Sequence, residues 1–336
     1  MKSLTVKACL ALLALISSAL CPMASFGAPD SAGYHGEPIP PALDAVYSRG
    51  LAWLAASQKQ DGCWDGQYGD NPGVVGVAVM AMLARGDDPN HGAYRTHIRK
   101  GLDFILSRMA PQTGYIGDSM YNHGFSTLAL AEAYGTVNDP RLGPALQKAV
   151  ALILSAQAVN PTGGWRYSPS STDADTTVSG AQLMALLAAR NAGMAVPDRA
   201  IDLAVQLISR HQSGNGGFGY ASASGPTTAS SAIGALILAL TDHNRNAAYA
   251  SALRYVEQVW LVPDQHPYYY LYYASQALFH GNMQLWNKWN VENLARLAAS
   301  QGPDGRWTGS EGDVFCTSAA LLSLALNYRY LPIYER

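Results

Sequence analysis

The sequence predicts an all-α fold in which helical hairpins close into a double ring. First, a segment that ends in glutamine, a glycine turn and an aromatic residue recurs about every 50 residues, and such a period indicates a repeat architecture. Second, each repeat contains two helical segments of different composition. Third, only 14% of the residues are charged, against about 25% in ordinary globular proteins. Much of the chain must therefore be buried on several sides.

Six repeat units, called units one to six, account for the chain. The four clear copies of the motif are "RGLAWLAASQKQDGCW" (49–64), "KAVALILSAQAVNPTGGW" (148–165), "LAVQLISRHQSGNGGF" (203–218) and "LARLAASQGPDGRW" (294–307). Weaker copies are "KGLDFILSRMAPQTGY" (100–115) and "SALRYVEQVW" (251–260). The aromatic residues that end the motif are predicted at Trp64, Tyr115, Trp165, Phe218 and Trp307. The long gap before Trp307 leaves room for one shortened unit.

The two helices of a unit differ in where they carry polar residues. The first has a mixed face, as in "YSRGLAWLAAS", and the second is apolar nearly all round, as in "GVVGVAVMAML" and "TSAALLSLAL". A helix that is apolar on every side is buried on every side. The second helices therefore form an inner ring and the first helices an outer ring, which together make a single (α/α)6 toroid. An open solenoid is the alternative, but it needs polar caps at both ends.

The N-terminus has the pattern of a secretory signal. Lys2 and Lys7 give a positive start, and Ala8 to Leu20 is an apolar run too short to span a bilayer comfortably. Small residues favour cleavage after Gly27. We expect a signal peptide at 1–27, a linker at 28–44 and the toroid at 45–336, with a secreted or periplasmic location. An uncleaved membrane anchor is the alternative; no other segment is expected to span a membrane.

Composition and motifs exclude several classes of function. The formal net charge is −2, and loss of two lysines with the signal makes the mature chain more acidic, so nucleic acid is not an expected partner. The sequence contains no P-loop, no G-x-S-x-G and no H-E-x-x-H motif. We therefore expect no cofactor.

The glutamine–glycine–tryptophan repeat resembles the QW motif of squalene–hopene cyclases and the wider prenyltransferase and squalene oxidase repeat family. Every place of the motif in unit one is filled, by Arg49, Gly50, Trp53, Leu54, Gln58, Gly62 and Trp64. The resemblance implies the toroid of terpenoid cyclases and protein prenyltransferase β subunits. It also implies an isoprenoid or other lipid as the ligand.

The stretch "DADTT" (173–177) resembles the acidic D-x-D-D motif of these cyclases. By position, Asp175 matches the proton donor and Asp173 the first aspartate, whereas Thr176 replaces the last one. The chain also has one toroidal domain where those cyclases have two, and an export signal where they are membrane-associated inside the cell. Asp313 and Cys316 do not reproduce the zinc site of prenyltransferases, because no histidine follows them, and no metal is expected.

Two interpretations of Asp173 and Asp175 remain open. Two close carboxylates in an apolar pocket can share a proton and act as an acid. Both residues also lie at the start of the inner helix "TTVSGAQLMALLAA", where aspartate is a preferred capping residue and the helix dipole stabilises its ionised form.

The starts of all inner helices should meet around one mouth of the ring. Polar groups that converge over an apolar cavity are the default hypothesis for a binding site. The ligand-binding candidates at these starts are His123, Thr176, Thr228, Tyr272 and Asp313. The alternatives are a solvated loop histidine at 123 and simple packing for the tyrosine run "PYYYLYY" (267–273).

Cys63 and Cys316 are the two cysteines left after signal removal. They lie in units one and six, which are neighbours in a closed ring. Export permits disulfide formation, so we predict a bond that fastens the ring, with two buried free thiols as the alternative.

Two functional hypotheses follow. In the first, a terpene-cyclase-like toroid binds an isoprenoid in its central cavity, and any activity is that of an isomerase or lyase with Asp175 as the proton donor. In the second, a non-catalytic secreted toroid binds a protein, peptide or glycan at its mouth. Carbohydrate-active toroids, which use paired acids, are a third and weaker possibility.

Overall fold

The computed structural model describes residues 39–241, 246–259 and 265–334. The predicted signal peptide and most of the predicted linker lie outside these residues. In the described part the chain forms twelve α-helices, a short 3₁₀ helix at Pro332–Tyr334 and no β-strand. The helices are α1 (Pro41–Ser57), α2 (Pro72–Leu83), α3 (Arg95–Ser107), α4 (Met120–Ala133), α5 (Leu142–Val159), α6 (Thr176–Asn191), α7 (Asp198–Arg210), α8 (Thr228–Leu240), α9 (Ala247–Val259), α10 (Pro267–Gly281), α11 (Met283–Ser300) and α12 (Asp313–Ala325). Because α1 begins at Pro41, the last residues of the predicted linker belong to the first helix.

The even-numbered helices form a closed circle. Each packs against the next in the order α2, α4, α6, α8, α10 and α12, and α12 returns to α2. The odd-numbered helices pack outside this circle, for example α3 on α2, α9 on α8 and α1 on α12. This arrangement is a single (α/α)6 toroid. It confirms the predicted fold class and excludes the open solenoid.

Small residues bring the inner helices together. Gly76 of α2 lies against α4, where an added Cβ would be 3.0 Å from the carbonyl oxygen of Phe125. Gly180 of α6 lies against α8, where an added Cβ would be 2.4 Å from Ile233 Cγ2. Side chains at these points would push neighbouring helices apart, so glycine sets the close spacing of the inner ring.

A glycine with positive φ turns the chain after the outer helix in five of the units. Its Cα faces a backbone carbonyl of the next outer helix so closely that an added Cβ would lie 2.0–3.4 Å from the carbonyl oxygen. Only glycine combines that approach with this backbone conformation. The five turn glycines are Gly62, Gly114, Gly163, Gly216 and Gly305.

The buried residue that ends the motif follows two positions after each turn glycine. These residues are Trp64, Ile116, Trp165, Phe218 and Trp307, all at most 2% exposed. The prediction of Tyr115 for unit two was therefore wrong. Because Gly114 makes the turn, Ile116 is the residue that reaches the core, and Tyr115 is only half-buried.

The motif glutamine, present in four of the six units, joins its unit to the next one. Its Nε2 donates to the carbonyl of the turn glycine in its own unit and to a carbonyl of the following outer helix. The bonds run from Gln58 to Gly62 and His97, from Gln157 to Gly163 and Ala200, from Gln212 to Gly216 and Ala248, and from Gln301 to Gly305 and Val46, at 2.8–3.1 Å. The bond to Val46 links unit six to unit one.

The tryptophans that end the motif have a structural role. Each indole Nε1 donates to a carbonyl of the outer helix in its own unit: Trp64 to Leu54, Trp165 to Ile153 and Trp307 to Leu297, at 2.9–3.0 Å. The buried indole therefore has a partner for its only polar atom.

Helix α5 is the one described helix whose length and composition would suffice to cross a membrane. It has 18 residues with a mean hydropathy of 1.3. It belongs to the outer ring and packs against the inner helices α4 and α6. A helix in a protein core can have the same length and hydropathy.

Replacing Gln301 with leucine should destabilise the ring, because two backbone carbonyls at the junction of units six and one lose their donor. We expect the free energy of unfolding to fall by about 1–3 kcal/mol, measured by urea denaturation. Gln157→Leu should cost a similar amount, since its two bonds have the same geometry. The control is Gln284→Leu, at an exposed position of α11. Equal stability of Gln301→Leu and this control would contradict the bridging role.

Candidate ligand-binding site at the mouth of the ring

Polar side chains cap four of the six inner helices at the mouth. The caps are Asn71 on α2, Ser119 on α4, Asp175 on α6 and Thr227 on α8, each accepting a hydrogen bond from a backbone N–H of the first turn. Helices α10 and α12 have no such side-chain cap. Capping at this position therefore recurs along the chain from α2 to α8. Asp175 is the one carboxylate among these four caps.

Asp175 is fully buried and both of its oxygens are occupied. Oδ1 accepts from the backbone N–H groups of Thr177 and Val178 and from the Thr177 hydroxyl, at 2.7–2.8 Å. Oδ2 accepts from the Tyr220 hydroxyl at 3.2 Å and lies 3.2 Å from Arg166 Nε. The capping interpretation of Asp175 is thus confirmed.

Asp173 does not form a direct carboxyl–carboxyl pair with Asp175. Its side chain is 67% exposed, and its Oδ2 lies 2.7 Å from Arg166 Nη1. Arg166 therefore bridges the two acids. Burial alone would lower the pKa of Arg166, but Tyr220, Asp173 and Asp175 together raise it, so the guanidinium keeps its charge. The sequence signal for Arg166 was its place directly after the motif residue Trp165.

Two tyrosines cover this charged group on the solvent side. The Arg166 guanidinium lies 5.3 Å from the ring centroid of Tyr167 and 5.4 Å from that of Tyr220. Tyr167 is 47% exposed and its hydroxyl is hydrogen-bonded to that of Tyr220. Burial raises the pKa of Tyr220, so its hydroxyl remains a donor. We call Arg166, Tyr167, Asp173, Asp175 and Tyr220 the mouth cluster.

Aromatic side chains fill the centre of the ring beneath the mouth. Phe125 of α4 and Tyr272 of α10 are both buried, with ring centroids 6.3 Å apart. One turn nearer the mouth, Tyr121 of α4 interacts with Tyr269 of α10. Helices α4 and α10 are opposite members of the inner circle, so these contacts cross its axis. The central cavity expected from the sequence is closed at this level, and Tyr272 is part of the packing that closes it.

His123 faces the outer ring, not the mouth. It is fully buried; Nδ1 accepts from the N–H of Ile116 at 3.2 Å, and Nε2 pairs with the carbonyl of Ala149 at 3.0 Å. The equivalent positions of three other units carry a hydroxyl that accepts from the motif residue: Ser179, Ser231 and Thr317. His123 is therefore neither a ligand-binding residue nor a solvated loop histidine. It replaces this structural hydroxyl.

The remaining ligand-binding candidates do not form a common site with Asp173 and Asp175. They are Thr176, Thr228 and Asp313. Thr176 is fully buried, where its hydroxyl donates to Gly219 and meets Nδ1 of His211 at 2.9 Å. Thr228 is half-buried at the start of α8, beside the capping Thr227. Asp313 begins α12, opposite α6 in the circle, and pairs with Arg306 at 3.4 Å.

The disulfide predicted between Cys63 and Cys316 is not formed, and both thiols are free and buried. Cys63 Sγ lies 3.2 Å from Asp61 Oδ1, and Cys316 Sγ lies 3.6 Å from Glu311 Oε2. Burial, then the neighbouring carboxylate, raises the pKa of Cys63 to about 11 and that of Cys316 to about 12. Each sulfur thus donates, as a neutral thiol, to a carboxylate that precedes it by two to five residues in the sequence.

No group of three or more His, Cys, Asp or Glu side chains that could hold a metal ion occurs within residues 39–241, 246–259 and 265–334. The mouth cluster instead presents the Arg166 guanidinium, the Asp173 carboxylate and the Tyr167 ring and hydroxyl at the surface, while Asp175 is fully buried. Such a set can bind a ligand that has several hydroxyl groups and an apolar face.

The fold places the protein among all-helical toroids with a single ring. Within this class, the chain belongs to the family described as "Domain of unknown function (DUF6288)", whose model matches residues 44–259. No curated protein matches the sequence.

Solved structures share the fold at low identity. The type II terpene cyclase MstE from Scytonema is 17% identical, with a TM-score of 0.59 over 88% of this chain and all of that one. The α-1,6-mannanase GH76A of Salegentibacter sp. HEL1_6, in complex with α-1,6-mannotetrose, is 11% identical, with a TM-score of 0.65 over 85% of this chain and 99% of that one. A protein from Actinoplanes is 15% identical, with a TM-score of 0.58 over 85% and 99%. At these identities the likeness establishes the toroid and nothing finer.

Asp175→Ala should destabilise the protein far more than Asp173→Ala. The first change removes the cap of α6 and leaves Tyr220 and Arg166 without their buried partner, at a cost of about 2–3 kcal/mol. The second removes an exposed ion pair and should cost no more than about 1 kcal/mol. Urea denaturation of both variants checks this. A harmless Asp175→Ala would show that the carboxylate has no structural role.

His123 should make stability fall in mild acid. Burial lowers its pKa to about 4 from 6.5, so the folded state stays neutral while the unfolded chain takes up a proton below pH 6.5. Up to about 3 kcal/mol of stability is lost as the pH falls from 6.5 to 4. His123→Gln keeps an acceptor and a donor but does not titrate, so its stability should depend less on pH. The control His91→Gln, at an 82% exposed side chain, should follow the wild type. The assignment is wrong if both variants do so.

Proposed function

We propose that the chain is a secreted or periplasmic toroid that binds a glycan at the mouth cluster. The observation that carries this proposal is the exposed Tyr167 ring, held against Tyr220 over Arg166, with the carboxylate of Asp173 beside it. This is the second of the two functional hypotheses that the sequence gives rise to.

The chemistry of the mouth cluster fits a sugar. The apolar face of a pyranose packs on an aromatic ring such as that of Tyr167. Its hydroxyls can donate to Asp173 and accept from Arg166. One arginine and two aspartates give the cluster a formal charge of −1, which favours a neutral or cationic ligand over an anionic one.

The closed centre of the ring also favours a ligand that lies on the mouth. The contacts between Phe125 and Tyr272 and between Tyr121 and Tyr269 cross the axis below the cluster. A long apolar chain would have to separate these side chains to enter. A glycan can bind to Tyr167 and Asp173 without any such change.

A second candidate function is isoprenoid binding with acid-initiated cyclisation or isomerisation. The fold shared with MstE supports it, since a variant of that protein was solved in complex with geranylgeranyl dihydroxybenzoate, and so do the aromatic side chains at the ring centre. Asp175 would be the proton donor, as the resemblance to the D-x-D-D motif implies. Against this role, both oxygens of Asp175 already interact with protein groups, namely four hydrogen-bond donors and Arg166.

Tyr167→Ala should weaken glycan binding at least tenfold, because it removes the exposed stacking surface. The probes are linear α-1,6-mannan, β-1,4-glucan and β-1,4-xylan oligomers, titrated by calorimetry. Tyr134→Ala is the matched control, since Tyr134 is 38% exposed and lies at the C-terminal end of α4, away from the mouth. Equal binding by the two variants, or no binding of any probe, contradicts the proposal.

The same purified protein tests the second candidate. Mass spectrometry identifies any lipid that co-purifies, and incubation with a geranylgeranylated phenol detects conversion. Lipid binding together with loss of conversion in Asp175→Asn would favour the isoprenoid function over the glycan.

A further inference from the structure

A cleft of about 620 Å³ lies where unit six meets unit one. It is formed by the end of α1 and by the loops that precede α2 and α12. Its lining includes Trp53, Asp65, Gly66, Arg306, Gly312 and Asp313. The volume is within the range of about 300–1,000 Å³ that ligand sites occupy. We call this feature the closure cleft.

The closure cleft combines an indole with charges that are already paired. The Arg306 guanidinium lies 6.0 Å from a ring centroid of Trp53. It also pairs with Asp313 and Asp304, each at 3.4 Å, while Asp65 pairs with Lys59 at 3.3 Å. An aromatic wall with balanced, exposed donors and acceptors suits a neutral polar ligand better than an ion.

Glycines leave the space that forms the cleft. A Cβ added at Gly66 would meet no atom within 4 Å, so this position opens directly into the cleft. Gly312 has positive φ and lies against the carbonyl of Gln67, which brings the loops of units one and six together. The cleft is therefore built by the local sequence of these two loops.

The corresponding groove between units one and two is smaller. Its volume is about 390 Å³. Phe104 occupies the place in the repeat that Trp53 has in unit one, and the Arg108 guanidinium lies 4.6 Å from its ring centroid. Its lining includes the side chains of Lys100 and Asp103 and contains no glycine. This groove supplies matched control positions.

The closure cleft and the mouth cluster open at the same end of the ring, because both are built by loops that lead into inner helices. The cluster lies at the start of α6 and the cleft at the starts of α12 and α2. Helices α6 and α12 are opposite in the circle. Since neighbouring helix axes are about 8–10 Å apart, opposite axes are about 16–20 Å apart. A glycan that contacts both sites must therefore be an oligosaccharide and not a single sugar.

We infer that the closure cleft is a second subsite, which binds one end of a neutral oligosaccharide whose other end contacts the mouth cluster. The inference rests on the proposed glycan-binding function. It specifies the ligand class as an extended, uncharged oligosaccharide. Trp53 stacks on a sugar ring of this end, and Arg306 and Asp313 bind its hydroxyls.

A length series of oligosaccharides tests the inference. The probes are the same mannan, glucan and xylan oligomers, from disaccharide to hexasaccharide, titrated by calorimetry. Affinity should rise with length in the wild type. Trp53→Ala and Arg306→Ala should each weaken binding of the long oligomers about tenfold and leave the short ones unchanged. Arg306 is 42% exposed, so its variant should fold even if Trp53→Ala does not.

Phe104→Ala and Arg108→Ala are the controls and should bind every oligomer as the wild type does. If Trp53→Ala and Arg306→Ala also bind the long oligomers normally, while Tyr167→Ala weakens binding, the closure cleft is not a subsite but the mouth function stands. If no oligomer of any length binds, the proposed function fails and this inference fails with it.

Discussion

A bridging side-chain amide holds this toroid together. The motif glutamine fixes the glycine turn of its own unit and, with the same nitrogen, a carbonyl of the next outer helix, so one residue specifies both a local turn and a neighbour. Because Gln301 makes this bond to Val46 in the first helix, the ring has no exposed end and needs none of the polar caps that open repeat proteins require. Unit two, with Met109 in place of glutamine, keeps its turn through backbone bonds between Ala110 and Tyr115 and between Gly114 and Ala110.

The ring architecture determines the position of the candidate site, because all inner helices start at one end. Every start needs acceptors for its free N–H groups, so polar residues accumulate at the mouth before any function is considered. Asn71, Ser119 and Thr227 meet this need with neutral groups. Asp175 meets it with Oδ1 alone, which leaves Oδ2 available for other contacts. That second oxygen positions Tyr220 and Arg166, and through them the exposed Tyr167. The acid therefore acts on the surface through its neighbours.

The sequence predicted the parts of this structure that recur and missed those that depend on contacts between distant units. The period and the two helix types were enough for the closed toroid, and the capping of α6 could be expected at Asp175. Ile116 was missed because an aromatic residue stood next to it, although the glycine turn fixes the position. His123 looked exceptional only because its counterparts are hydroxyls. The meeting of Phe125 and Tyr272 could not be predicted, since it depends on the radius of the inner ring.

That radius determines where a ligand can bind. Solved structures with this fold contain a geranylgeranyl substrate in a MstE variant and a mannotetrose in a GH76A variant, so the fold alone does not determine the ligand. The side chains that face the axis do. Here Phe125 and Tyr272 meet across it, and the closure cleft is formed in part by loops that precede inner helices. Such loops can change in length and residue without disturbing the glutamine bridges, which is why binding residues on a rigid scaffold are found there. Arg166, Tyr167 and Arg306 are all loop residues of this kind.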